Sequence, residues 1–339
     1  MGPYRVFVIG DQSYSPDNWG MSGYAYKHVE GPLRASSLIR DISVYYRSEG
    51  ISESSLLNRI EAFGPDLVCI SQEMHLPLFS SNFMSAINVP VVAFYFDGHN
   101  KRVCRMADVY SPFVVSNVLF GAGPTYHYMT TSNYIFGGVP MVLPLIDEPE
   151  AVDIDVSFLG SLFPARRHYI ELLKEAGINV FIRGGLQTWR EYASQHNMPY
   201  LDGAWETYNS YLEYMSRSKI TLNFSFYSPG IYSMRGRVGE AFYCRTLLFE
   251  EENSVTAMFY KPWVDYIPFT ESTLVPLIAE YLPDKVKRDW VRLHGHESFR
   301  DYTVDDFVRL LFERAATGSF ETGEVWNKEF HTKHLGEDR

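Results

Sequence analysis

SKITLNFSFYSPGIYSMRGRVGEAFYCRTLLFEEE, residues 218 to 252, is the stretch on which the reading of this chain turns. It opens with a short apolar strand, Ile220 to Phe224, and passes through a loop rich in Ser, Pro, Gly and Arg. An amphipathic segment begins near Arg237, and a second apolar strand, Thr246 to Phe249, follows at once. Strand, loop, helix, strand is the repeat of an open parallel sheet. The loop joins the carboxyl end of a strand to the amino end of a helix, where such sheets take their ligands and helix amides meet phosphate. Arg235, Arg237 and Glu240 are gathered there, a mixture suited to a nucleotide diphosphate and its ribose. On these residues alone a solvated Arg-Gly-Arg turn and a first-turn Glu favoured by the helix dipole compete with that reading.

Working outward, the same unit recurs. Val156 to Gly160 (VSFLG) reads as a strand running into Ser161, and a helix follows with Arg166 and Arg167 in its first turn. Gly177 ends it, and Ile178 to Ile182 is the next strand, closed by Arg183, Gly184 and Gly185. Tyr208 to Ser216 reads as helical. Beyond Phe249 the pattern is helical at Ser254 to Phe259, Ser272 to Leu282, Val286 to His296 and Thr303 to Ala315.

The first half is built alike. Tyr4 to Gly10 (YRVFVIG), Asp66 to Ser71 (DLVCIS) and Val89 to Phe96 (VPVVAFYF) read as buried strands. Leu33 to Ser48 and Ser52 to Phe63 carry helical spacing, the second with Ser52 as cap and Gly64-Pro65 as stop. Glu73 follows one strand, and Asp97, beside His99, follows another. A carboxylate so placed suits a general base, although Asp-Gly is also a common turn. Ile146 to Asp155 is acidic, lacks a sustained apolar period, and reads as a linker. The expected division is residues 1–147, a linker at 148–155, residues 156–317, and a polar tail from 318 to 339.

Composition bounds the function. At 339 residues the chain has room for about two domains. A hydrophobic content of 46% excludes general disorder, and a net charge of −11 argues against gripping nucleic acid over the whole surface. The cysteines, Cys69, Cys104 and Cys244, lack metal or disulfide spacing, and two of them lie in or beside apolar segments and read as small buried hydrophobes in a reducing compartment. The amino-terminal apolar run is too short for a signal-peptide core, and Val89 to Phe96 is too short to span a bilayer. The expectation is a cytoplasmic protein without membrane insertion.

VSFLGSLFPARRHYIELLKEAGINVFIRGG, SKITLNFS, MRGRVGEAFYC and LHGHESFRDYTVDDFVRLL, in that order and spacing, resemble the glycosyltransferase family typified by CgeB-like spore-maturation proteins. These are relatives of the group-1 glycosyltransferases, and the resemblance covers roughly residues 156 to 315. It implies an α/β protein of GT-B fold, two Rossmann-like domains facing each other across a cleft, with the second holding a nucleotide-sugar donor. A UDP-sugar is the expected donor, and no metal is required. The expected acceptor is a glycan, protein or small molecule, with modified DNA disfavoured by the acidic balance, and the chain is expected to form a homodimer.

The resemblance places Glu240 on the donor ribose and Arg166 or Arg167 beside the diphosphate. Arg235 and Arg237 match the family's basic segment. Gly160, Ser161 and Gly184, at strand ends, complete the expected donor contacts. Arg237 would stabilise the leaving diphosphate, with Asp97 or Glu73 as base if the reaction inverts, although kinship favours retention. Two positions depart from the pattern. Tyr232 stands where relatives often carry a Glu eight residues before Glu240, and Arg245 stands where they have Gly. A nucleotide-sugar epimerase of the same architecture, or a binding protein with a degenerate donor site, are the alternatives.

Overall fold

A run such as YRVFVIG has no polar face, so a strand made of it is stable only when covered from both sides. The computed structural model of the chain describes residues 4–10, 29–72, 79–95, 113–116, 133–137, 151–160, 162, 164–185, 203–205, 207–228, 231–232, 236–300, 303–317 and 324–326. In it β1 (Tyr4–Gly10) lies inside a sheet, between β2 (Ile39–Tyr46) and β3 (Leu67–Gln72). Outward from β3 follow β4 (Val91–Tyr95), β5 (Phe113–Ser116) and β6 (Asn133–Gly137). All of these pairings are parallel. Val6 and Val8 enter one core with Leu67, Cys69, Val92 and Phe94, while Phe7 and Ile9 enter the other with Val68 and Ile70. Leu33 of α1 (Gly31–Ala35) serves the first core. Leu56 and Ile60 of α2 (Glu53–Phe63) and Phe83 of α3 (Ser81–Ala86) serve the second. The cap expected for α2 is present, with the Ser55 amide donating to Ser52 Oγ at 3.2 Å and Gly64 ending the helix at φ 59°.

The second sheet is built from β7 (Ile154–Leu159), α4 (Pro164–Glu175), β8 (Val180–Gly185), β9 (Gly203–Trp205), α5 (Tyr208–Ser216) and β10 (Ser218–Asn223). A hairpin of β11 (Phe226–Ser228) and β12 (Ile231–Tyr232) leads to α6 (Gly236–Tyr243) and β13 (Leu247–Glu251). Then come α7 (Ser254–Ala257), β14 (Ile267–Phe269), α8 (Leu274–Tyr281) and α9 (Lys285–Arg300). The spatial order is β14-β13-β10-β7-β8-β9, again parallel throughout. Val156, Phe158, Ile220, Leu222, Leu247 and Phe249 meet Ile170 and Leu173 of α4 and Leu274 and Ile278 of α8 in one core. The chain runs from β7 out to β8 and β9 on one side, then returns to β10 on the other. The order of winding therefore reverses between β7 and β10, the place where doubly wound sheets open a crevice at their carboxyl ends.

Three expectations are corrected. Leu33 to Ser48 is not one helix: its first residues form the end of α1, and Ile39–Tyr46 is strand β2, paired along its length with β1. The β-branched and aromatic residues of IRDISVYY suit an edge strand, and the exposed Arg40 and Asp41 lie at its open side. The second domain starts at Ile154, inside the acidic stretch assigned to the linker.

The third correction is to the carboxyl-terminal boundary. α10 (Val304–Thr317) belongs to the first sheet, not the second. Phe307, Val308 and Leu311 complete the core around Val6, Val8, Val92 and Phe94, and Phe312 stacks on Tyr4 with ring centroids 3.6 Å apart. Among the described residues, that face of the sheet otherwise has from its own half the five-residue α1 to cover it. The expected polar tail contributes β15 (Glu324–Trp326), which pairs in parallel with β6.

Candidate functional site

At the carboxyl ends of β7 and β10 the sequence places Gly160 and Asn223, side by side where the winding reverses. Arg237, the second residue of α6, brings its guanidinium to this point. Nη1 donates to Asn223 Oδ1 at 2.8 Å, and the guanidinium carbon lies 5.2 Å from the centre of the Phe158 ring. A Cβ on Gly160 would stand 2.1 Å from Nη2, so glycine is what gives the guanidinium its berth. Nε of Arg237 is buried without a hydrogen-bond partner, and among the described residues no carboxylate pairs with this side chain. A cation drawn out of water and left without a counter-ion costs stability, and such a cost is carried where an anion is to be received.

Behind Arg237 lies a buried polar network. Asn223, fully buried, donates through Nδ2 to Glu250 Oε2 at 2.7 Å. Glu250, at the carboxyl end of β13 and also fully buried, accepts from the Ser225 hydroxyl, from Asn253 Nδ2 at 2.9 Å and from Thr256 Oγ1 at 3.3 Å. Burial raises its pKa to about 7, and the hydrogen bonds from Ser225, Asn223 and Asn253 pull the other way.

The structure treats the other predicted donor residues unequally. Arg166 is buried and donates to the Phe224 carbonyl at 3.3 Å, next in the chain to Asn223, so it joins the group formed by Gly160 and Arg237. Arg167 turns to the surface and pairs with Glu171 at 2.7 Å, one helical turn on. Gly184 is buried at the carboxyl end of β8. Glu240 is nearly buried, and its two oxygens accept the hydroxyls of Tyr208 and of Tyr211, the latter at 2.5 Å. Those tyrosines project from α5 with their rings stacked, centroids 5.4 Å apart. The carboxylate expected on a ribose thus also fastens α6 to α5. Ser161, Arg235, Asp97 and Glu73 lie outside the described residues, as does Cys104.

Of the two departures, Tyr232 sits in β12, opposite Phe226. Arg245 adopts φ 53° at the turn from α6 to β13. The left-handed conformation that glycine favours is therefore kept at this turn with an arginine in it. At the opposite end of the sheet Asp153 accepts from Arg217 at 2.9 and 2.6 Å, and Asp155 from Lys219 at 2.5 Å. Cys69 and Cys244 are buried and unbridged, and burial pushes both thiols up.

Asn223, Glu250, Tyr208 and Tyr211 did not stand out in the sequence. The one available signal was a polar residue closing each apolar run, Asn223 after ITL and Glu250 after LLF.

Residues 166–313 match the family model described as "Glycosyl transferase-like", a span that begins at Arg166 and contains Arg237, Glu240 and Glu250. No curated protein matches the chain by sequence. Among solved structures, HepE of Anabaena in complex with UDP-glucose is similar at 9% identity and a TM-score of 0.58, over 93% of this chain and 100% of that one. Sucrose-phosphate synthase from Thermosynechococcus elongatus is similar at 12% identity and a TM-score of 0.59, over 93% and 100%. A glycosyltransferase from Rickettsia africae is similar at 10% identity and a TM-score of 0.58, over 94% and 100%. At these identities the likeness establishes the fold, and the fold is GT-B.

Proposed function

We propose that the protein transfers a sugar from a nucleotide-diphosphate donor, a UDP-sugar, to an acceptor hydroxyl without a metal ion, as a member of the CgeB-like branch. One observation carries the reading: Arg237 presents a partly buried guanidinium, with no carboxylate partner among the described residues, at the point where β7 and β10 diverge. As the glycosidic bond breaks, negative charge grows on the diphosphate oxygen. A cation already aimed and desolvated stabilises that charge more than it stabilises the intact donor. Arg166 and the amino ends of α4 and α6 add positive potential at the same edge of the sheet. This supply of charge from the protein is the reason to propose metal independence.

Glu240 takes the ribose in this reading. Tyr208 and Tyr211 hold its carboxylate in one orientation. The leaving diphosphate serves as proton acceptor in a retaining transfer, so no base from the first domain is required. If the product is inverted, Asp97 or Glu73 takes that role.

The test is a thermal-shift panel of UDP, GDP, ADP and TDP, followed by incubation of the stabilising nucleotide's sugar conjugates with candidate acceptors. Binding to the native state raises the melting temperature in proportion to ln(1 + [L]/Kd). The expected result is a shift with UDP that is lost in Arg237→Ala. A chain that none of the four nucleotides stabilises does not have this function.

A further inference from the structure

Asn223 touches the cation with its oxygen and the buried carboxylate with its nitrogen. A carboxylate standing in its place would pair with Arg237 directly and cancel charge at the point where a diphosphate has to be met. An aliphatic side chain would leave the guanidinium unanchored. The amide does neither, since it fixes Nη1 by a hydrogen bond and adds no counter-charge.

Which end of the amide faces the arginine is set from behind. Glu250 serves as acceptor to every neighbour around it, so it draws the NH2 group of Asn223 toward itself and leaves Oδ1 for Arg237. Glu250 is held in turn by Ser225, Asn253 and Thr256, which come from the end of β10, the loop after β13, and α7. The other ionisable groups acting on this cluster are Glu251 and Tyr266. Its carboxyl group therefore stands one side chain away from the guanidinium.

We infer that Asn223 and Glu250 are positioning residues of the donor site, which aim Arg237 at the diphosphate while leaving its charge uncancelled. The inference rests on the donor reading above. It adds residues that never touch the nucleotide and yet decide how strongly its phosphates are held.

The test compares wild type with Asn223→Asp, Glu250→Gln and the double substitution. The ligands are whichever of UDP, GDP, ADP and TDP binds wild type best and, as an uncharged control, the matching nucleoside. Asn223→Asp alone sets two buried carboxyl groups against each other. The double substitution places an amide opposite the new carboxylate and supplies the measurement if the single variant does not fold.

The double variant is expected to bind the diphosphate about tenfold more weakly while its nucleoside affinity stays at the wild-type value. Glu250→Gln, in which either end of the new amide can face Asn223, is expected to lose about threefold on the diphosphate alone. Equal weakening of diphosphate and nucleoside would mean a general structural role and would overturn the inference, as would unchanged binding of both. Wild-type protein that binds none of the four nucleotides removes the donor reading and this inference with it. Wild type that binds, with variants that bind equally well, removes the inference alone.

Discussion

The two ends of β7 and β10 carry similar residues in opposite arrangements. At the amino ends, Asp153 meets Arg217, which also pairs with Glu213 at 3.9 Å, and Asp155 meets Lys219, so each cation has at least one exposed carboxylate. At the carboxyl ends, Arg237 has a glycine, an aromatic ring and an amide around it, and the nearest carboxylate in that network, Glu250, is engaged through Asn223. Matched surface pairs contribute little. A charge whose partner is withheld, inside a partly desolvated site, is available for a ligand. On the proposed reading, the pattern of pairing marks the working end of the sheet, since the residue types at the two ends are alike.

The strongest way to break that contrast is to remove the unmatched charge. Arg237→Ala should lower kcat with the nucleotide sugar by about 3 to 4 kcal/mol of barrier while leaving the circular-dichroism spectrum unchanged. Wild-type turnover in the folded variant would place the working charge elsewhere.

Next in size is the pH dependence contributed by Glu250. Its pKa is raised by burial from 4.5 to about 7, so the folded state holds a proton that the unfolded chain has released between those values. Its contribution to stability is fully present below about pH 4.5 and is lost as pH rises through about 7, a change of about 3 kcal/mol. Urea denaturation across that range should show the decline in wild type, and Glu250→Gln should remove most of its slope.

Gly160→Ala tests the berth itself. The added methyl takes the space of Arg237 Nη2, and displacing the guanidinium should cost about 1 to 2 kcal/mol in nucleotide binding, read by calorimetry. The smallest effect is expected at the other end of the sheet, where Asp153→Asn should leave nucleotide affinity and melting temperature at their wild-type values. A loss of affinity there would erase the distinction between the two ends.

Much of the fold could be read from the chain because parallel strands buried on both faces leave continuous apolar runs, as in FVIG, LVCIS, VVAFY and TLNF. The error over Leu33 to Ser48 arose where that signal fails. β2 lies at the sheet edge, Tyr45 alone of its residues is fully buried, and its mixed spacing fits a helix as well as a strand. The end of the chain was misassigned for a related reason: the apolar stripe of α10 shows that the helix must be covered, but says nothing about which sheet covers it.

The site was legible to the same degree. Arg237 and Glu240 stand within one short segment and could be read together. Asn223 and Glu250 lie 27 residues apart and meet only because β10 and β13 are neighbours in parallel register. Tyr208 and Tyr211 looked like ordinary helix residues until α5 was seen against α6. Partnerships made by topology leave little trace in local sequence.

The return of α10 and β15 to the first sheet means that neither half of the chain is self-sufficient. A fragment ending at residue 155 would expose Val6, Val8, Leu67, Val92 and Phe94 to water, and a fragment starting there would carry a greasy helix with nothing to rest on. Production of the second lobe by itself therefore calls for a stop near Arg300, and the amino-terminal lobe needs the last forty or so residues supplied back to it in order to be soluble.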